Sequence, residues 1–215
     1  MLPITILTML YTIPFHSEVN TISPTTPVVT QVEAPITMPY DVPLYSQIAD
    51  ISSVEWKQKG CGVADVAMIV NFYKPKTTTV QKSLEDAIAL GAYQKNVGWK
   101  HDGLAALAKK YGMDGKVQDF SKLNNLDAFN QFKDVIKEGP AIASIHRNFD
   151  PKLSFGHLIV ITGFDDNQIF YNDPGKHDGI RKVSITDFMK GWKRKLIVIR
   201  PIEKEETKTE LALVR

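Results

Sequence analysis

Cysteine is nearly absent from this chain: Cys61 is the only one in 215 residues. A single thiol excludes an internal disulfide framework and leaves the compartment open, because exported domains without disulfides are common. No apolar run reaches the ~20 residues that a membrane-spanning helix needs. A basic cluster is missing too. The net charge is +2, with two carboxylates and no Lys or Arg in residues 1–39 and three cations against four carboxylates in 201–215, so the stretch between carries +5. Spread without a cluster, that surplus is too weak to bind nucleic acid. There is no glycine-rich phosphate loop, no internal repeat and no histidine spacing of a zinc site. What is there is ordinary globular material, 43% hydrophobic and 23% charged, enough for a sizeable core.

The chain divides by composition. Residues 1–16 are apolar and almost uncharged, interrupted by Pro3 and Pro14, and read as a signal-like segment. Residues 17–39 are dense in Pro, Thr and Ser, as in Ser23-Pro24-Thr25-Thr26-Pro27, and read as an extended linker. Together they suggest an exported protein, extracellular or in the cell envelope, with a cytoplasmic protein carrying a disordered tail as the alternative. Residues 40–201 form the expected folded domain, and residues 202–215 a charged tail.

Within that domain, Lys59–Tyr73 predicts a helix buried on nearly all sides, with Val63, Val66, Ala67 and Val70 at helical spacing and Ala64, Met68 and Ile69 filling the rest. Further helices are expected from the Thr79 cap to about Ala92, from Asp102 to Tyr111, and from Asn125 to Glu138. The character then changes to short β-branched runs: Ala141–Ile145, His157–Phe164, Gln168–Asp173, Ile180–Ile185 and Leu196–Arg200, with Thr186 opening a short helix between the last two. Helices first and a mostly antiparallel sheet afterwards make an α+β domain.

Chemistry concentrates at three places. Cys61 opens the buried helix, flanked by Gly60 and Gly62, where unpaired N–H groups and the positive end of the dipole favour a thiolate. A cysteine nucleophile needs a base and a third group to orient it. Of the five histidines, His16, His101, His146 and His177 have polar or peripheral settings. His157 instead opens the run Leu158-Ile159-Val160-Ile161, apolar on both faces and so expected to be a central strand. Asn172 and Asp173 end the following strand. If Asp165-Asp166-Asn167 is a three-residue loop, His157 and Asp173 share a face and Asn172 points away; a two-residue loop exchanges them. The three-residue loop is favoured because it puts Asn167 at a left-handed position. Taken singly, Cys61 and His157 are also compatible with a small buried thiol and a satisfied core imidazole.

As a set, Val42-Pro43-Leu44-Tyr45-Ser46-Gln47, Gly60-Cys61-Gly62, Gly156-His157-Leu158-Ile159-Val160 with Gly163-Phe164-Asp165, and Tyr171-Asn172-Asp173-Pro174 resemble the C39-like peptidases. These are papain-like cysteine peptidases related to the domains that process bacteriocin leader peptides. The resemblance spans about residues 40–200. It implies a papain-like fold, Cys61 as nucleophile, His157 as base, Asp173 as its orienter, and Gln47 or alternatively Gln58 as oxyanion donor. It further implies hydrolysis of a peptide or protein through a thioester, by a monomer, with no cofactor and no metal. A non-catalytic peptide- or ligand-binding module, or an acyltransferase resolving the same thioester with an amine, remains open.

Overall fold

A computed structural model describes residues 39–176 and 178–202. The segments expected at 1–16, 17–39 and 202–215, apart from residues 39 and 202, and the candidates His16 and His177, lie outside the described residues. In chain order come α1 (Val54–Lys57), α2 (Cys61–Tyr73), α3 (Val80–Ala89), β1 (Tyr93–Gln94), β2 (Gly98–Trp99), α4 (His101–Lys110), β3 (Met113–Asp119), α5 (Asn125–Lys137), β4 (Ala141–His146), β5 (Gly156–Phe164), β6 (Gln168–Asn172), β7 (Arg181–Ser184), α6 (Ile185–Gly191) and β8 (Trp192–Pro201).

Helices α3, α5 and α6 start where a short polar side chain satisfies one of the first free N–H groups. Thr79 Oγ1 accepts from the Lys82 N–H at 3.1 Å, Asn124 Oδ1 from Asp127 at 2.9 Å and Ser184 Oγ from Asp187 at 3.0 Å. Each cap is worth about 0.5–2 kcal/mol over alanine. Two expectations shift here. Helix α3 stops at Ala89 rather than Ala92, because Gly91 turns the chain at φ 62° into the small β1–β2 hairpin. Helix α6 is capped by Ser184, not Thr186.

Every strand pair is antiparallel, in the order β3-β8-β4-β5-β6-β7. Alternation along β5 splits the core in two. Leu158 and Val160 join Ile142, Ile197 and Ile199 beneath α2 and α4, whereas Ile159 and Ile161 join Ala143, Ile145 and Leu196 against Phe132 of α5 and Phe188 of α6. A strand apolar on both faces is therefore covered on both faces, as expected for β5. Helix α2 is buried from Gly62 to Asn71. Each large side chain fully buried there contributes about 1.5–3 kcal/mol.

Strand β3 was not foreseeable from periodicity: between Met113 and Val117 its central position is Gly115, and the strand is recognised only by pairing with β8 from Met113↔Pro201 to Asp119↔Lys195. The β5–β6 loop also differs. The Asp165 N–H donates to Gln168 O at 3.0 Å, and Asp165 Oδ1 accepts from the Asn167 and Gln168 N–H groups at 2.8 and 2.7 Å. This side-chain turn lengthens the loop by one residue, so Phe164 opposes Ile169. An irregularity between Ile161 and Gly163 then takes up the extra residue, and Val160 opposes Asn172.

Candidate active site

The site forms where the start of α2 meets the start of β5. Cys61 is the first residue of α2, and the first intrahelical bond of that turn is Ala64 N–H to Gly60 O at 3.1 Å. The amides before Ala64 thus point out of the helix start without a partner inside it. Gly60 permits this placement: a Cβ there would collide with Ile51 Cδ1 and sit 3.2 Å from Gln47 Cβ. At Gly62 a Cβ would come within 2.7 Å of Leu104 and 3.0 Å of Leu158, so the turn seats directly on the core.

His157, the second residue of β5, is 18% exposed and places Nε2 2.7 Å from Asp173 Oδ1. Its other ring nitrogen is not engaged by Asp173, and Cys61 is close enough to act on the charge of the imidazole. Burial alone would lower the histidine, but the bonds and charges of Asp173 and Cys61 outweigh it and push the imidazole up to about 10. Asp173 lies just past β6, where the Gly175 N–H donates to the same Oδ1 at 2.8 Å. Burial would raise this carboxyl; His157 and the Gly175 amide hold it below its ordinary value. Asn172 is turned elsewhere. Its side chain is buried and donates to Val42 O at 2.9 Å, tying the incoming segment to the sheet.

The two glutamines are placed very differently. Gln47 is 6% exposed, its backbone N–H donates to Pro174 O at 2.9 Å, and its Nε2 donates to Lys57 O at 2.7 Å. It therefore bridges the loop carrying Asp173 and the turn carrying Cys61. Gln58, at the end of α1, is exposed. Of the remaining histidines, His101 is lowered by burial and by Lys195, and His146 Nδ1 lies 3.3 Å from Leu153 O. Neither has a contact to Cys61 or Asp173.

Two residues here escaped the sequence reading. Asp65, four positions after Cys61 on α2, is fully buried with both carboxyl oxygens unpartnered; its signal was a lone acid inside an apolar helix. Burial pushes this carboxyl well up, the Cys61 charge pushes the same way, His157 opposes, and Asp173 adds to the rise. Trp99 donates its indole N–H to Lys59 O at 2.5 Å across forty residues, which no local pattern announces. Among the described residues no group of three His, Cys, Asp or Glu could hold a metal ion, and no helix is long and apolar enough to cross a membrane.

This architecture is that of the C39 peptidase domains, papain-like cysteine peptidases in fold. A C39-like peptidase from Bacillus anthracis superposes with a TM-score of 0.58 at 18% identity, over 80% of this chain and 100% of that one. A double glycine motif protease from an AMS/PCAT transporter, solved with its leader peptide, gives 0.54 at 20% identity over 79% and 100%. The peptidase domain of Streptococcus ComA, a bi-functional ABC transporter of a quorum-sensing pathway, gives 0.53 at 20% over 74% and 98%. No curated protein matches the sequence. The chain belongs to the Peptidase_C39 like family, whose sequence profile matches residues 39–195.

Proposed function

We propose that this protein is a cysteine peptidase that hydrolyses peptide bonds through Cys61, His157 and Asp173. The observation that carries the reading is the imidazole of His157, bound through Nε2 to Asp173 Oδ1 at 2.7 Å and raised electrostatically by Cys61 at a helix start. With Nε2 committed to Asp173, Nδ1 is the nitrogen that takes the Cys61 proton, leaving a thiolate beside an imidazolium. The sulfur attacks the amide carbonyl and the C=O electron pair moves to oxygen. The Cys61 backbone N–H and the second Nε2 hydrogen of Gln47 stabilise that oxyanion, since the first Nε2 hydrogen is spent on Lys57 O. As the C–N bond breaks, His157 protonates the leaving amine; it then takes a proton from water, which cleaves the thioester and regenerates the thiol. Gln47 is preferred over Gln58 because it is buried against Gly60, the residue before the nucleophile.

Peptide as the substrate class is supported by the structural neighbour solved with a leader peptide. A peptide library incubated with wild type and with Cys61→Ala, read by mass spectrometry, tests the reading. Cleaved products with wild type alone are expected. Amine-extended products would identify an acyltransferase, and unchanged peptides with both proteins would leave a binding module.

A further inference from the structure

We infer that Trp99 is a positioning residue for the reaction assigned to Cys61: its indole N–H fixes the peptide unit that aims the Cys61 backbone N–H at the oxyanion. The inference rests on the peptidase reading above.

The start of α2 has no cap of its own. Its N-cap is Gly60, which offers no side chain, and no side-chain cap bond is made there. Gly60 is also the link between two consecutive peptide units, one carrying Lys59 O and the next carrying the Cys61 N–H. A residue without Cβ leaves that link the softest in the turn. Gly60 O, in the same peptide unit as the Cys61 N–H, accepts from Ala64 N–H at 3.1 Å and so holds that unit from the helix side, whereas the Lys59–Gly60 unit on the other side of the link precedes the helix. Trp99 pins the Lys59–Gly60 unit through its 2.5 Å bond to Lys59 O. On the other side its ring edge covers the turn, with Cδ1 3.1 Å from where a Gly62 Cβ would be. Gln47 holds the chain two residues upstream, at Lys57 O.

Trp99 is itself rigidly held. It is 9% exposed, pairs with Tyr93 across the β1–β2 hairpin at a ring separation of 5.1 Å, and lies 5.8 Å from Trp56 of α1. Trp56 shares the aromatic cluster, meeting Tyr93 edge-on at 4.9 Å, yet makes no side-chain hydrogen bond to the Cys61 turn. The two tryptophans thus separate packing from orientation.

Two reagents that react at Cys61 by different geometries test this. Iodoacetamide is attacked at a tetrahedral carbon: an S–C bond forms, iodide leaves, and no oxyanion develops. With p-nitrophenyl acetate the sulfur adds to a carbonyl, an oxyanion develops, and p-nitrophenolate leaves to give the S-acetyl enzyme. In Trp99→Phe, acetylation of Cys61 should fall about ten- to hundred-fold while alkylation stays within about two-fold, because a misaimed donor penalises only the oxyanion. Trp56→Phe should lower thermal stability and leave both rates close to wild type. If Trp99→Phe does not fold, benzothienylalanine at position 99 keeps the bicyclic ring, deletes only the N–H, and should give the same selective loss. Equal losses of both rates, no loss of either, or the same selective loss in Trp56→Phe would overturn the inference alone. A wild-type Cys61 inert to both reagents would overturn the peptidase reading and this inference with it.

Discussion

Asp65 lies one helical turn beyond Cys61 on α2, wholly buried, with neither carboxyl oxygen hydrogen-bonded. A carboxylate there would be a further buried negative charge beside Asp173 and the Cys61 sulfur, with only His157 in opposition. Burial and these charges therefore push the carboxyl well up, toward the neutral acid, whereas the unfolded chain would release its proton near pH 4.

The consequence is a pH slope with a defined sign. A carboxyl raised in the folded state adds stability that is complete below its unfolded value near 3.9 and is lost as pH rises toward its folded value. Over that range the loss approaches about 1.4 kcal/mol per pH unit. Asp65→Asn, isosteric and neutral, removes the slope. Its melting temperature relative to wild type should climb as pH rises above about 4, with peptide turnover at pH 7 changed less than about three-fold, a change of under 1 kcal/mol. A variant equally destabilised at every pH would show instead that Asp65 acts as an ionised acceptor.

His157 holds its proton to higher pH than an ordinary surface histidine. Asp173 and Cys61 overcome its burial and hold it up at about 10, above the usual 6.5. For a raised imidazole the added stability is full below pH 6.5 and is lost as pH climbs through about 10. His157→Ala should thus show its largest melting-temperature deficit near pH 6 and a shrinking deficit toward pH 10. Loss of the imidazole also removes the base that takes the Cys61 proton. Iodoacetamide at pH 6 should then alkylate Cys61 in the variant at least about ten-fold more slowly. A deficit independent of pH together with unchanged alkylation would refute the ion pair.

How much of this was readable in the sequence depends on how local the cause was. Helices α2, α3 and α5 follow from apolar spacing and from caps such as Thr79 and Asn124. Strand β5 follows from its two apolar faces, and with it the placing of His157 at a buried strand's start. Strand β3 did not, because Gly115 breaks its alternation and only β8 defines it. The β5–β6 register is instructive: the Asp165 turn makes the loop one residue longer than the three expected, and the irregularity at Thr162 gives that residue back. The pair Val160↔Asn172 is consequently the one a three-residue loop would have produced, through two departures that cancel. Asp65 and Trp99 were missed for a different reason. The burial of Asp65 is set by the packing of α2 on the sheet, and the bond of Trp99 reaches a carbonyl forty residues away.

Adjacent in sequence, Asn172 and Asp173 occupy separate environments, and this separation gives a ranking. Asp173 Oδ1 is 2.7 Å from His157 Nε2 and is itself fixed by the Gly175 N–H at 2.8 Å. Asn172 Nδ2 is 2.9 Å from Val42 O in the core. Asp173→Ala frees the imidazole to take the wrong tautomer or to swing from Cys61, and should lower kcat/KM by roughly 10²- to 10⁴-fold. The chain should stay folded, because Asp173 sits in a loop at 15% exposure rather than within the sheet. Asn172→Ala strands the buried Val42 carbonyl and should cost about 1–3 kcal/mol of stability. Its kcat/KM, measured well below its melting temperature, should stay within about ten-fold of wild type, 1.4 kcal/mol or less. Both variants need circular dichroism to verify folding and one peptide substrate assayed in parallel. The opposite ranking, with Asn172→Ala inactive and Asp173→Ala active, would place the histidine's partner on the other residue and dismantle the Cys61–His157–Asp173 assignment.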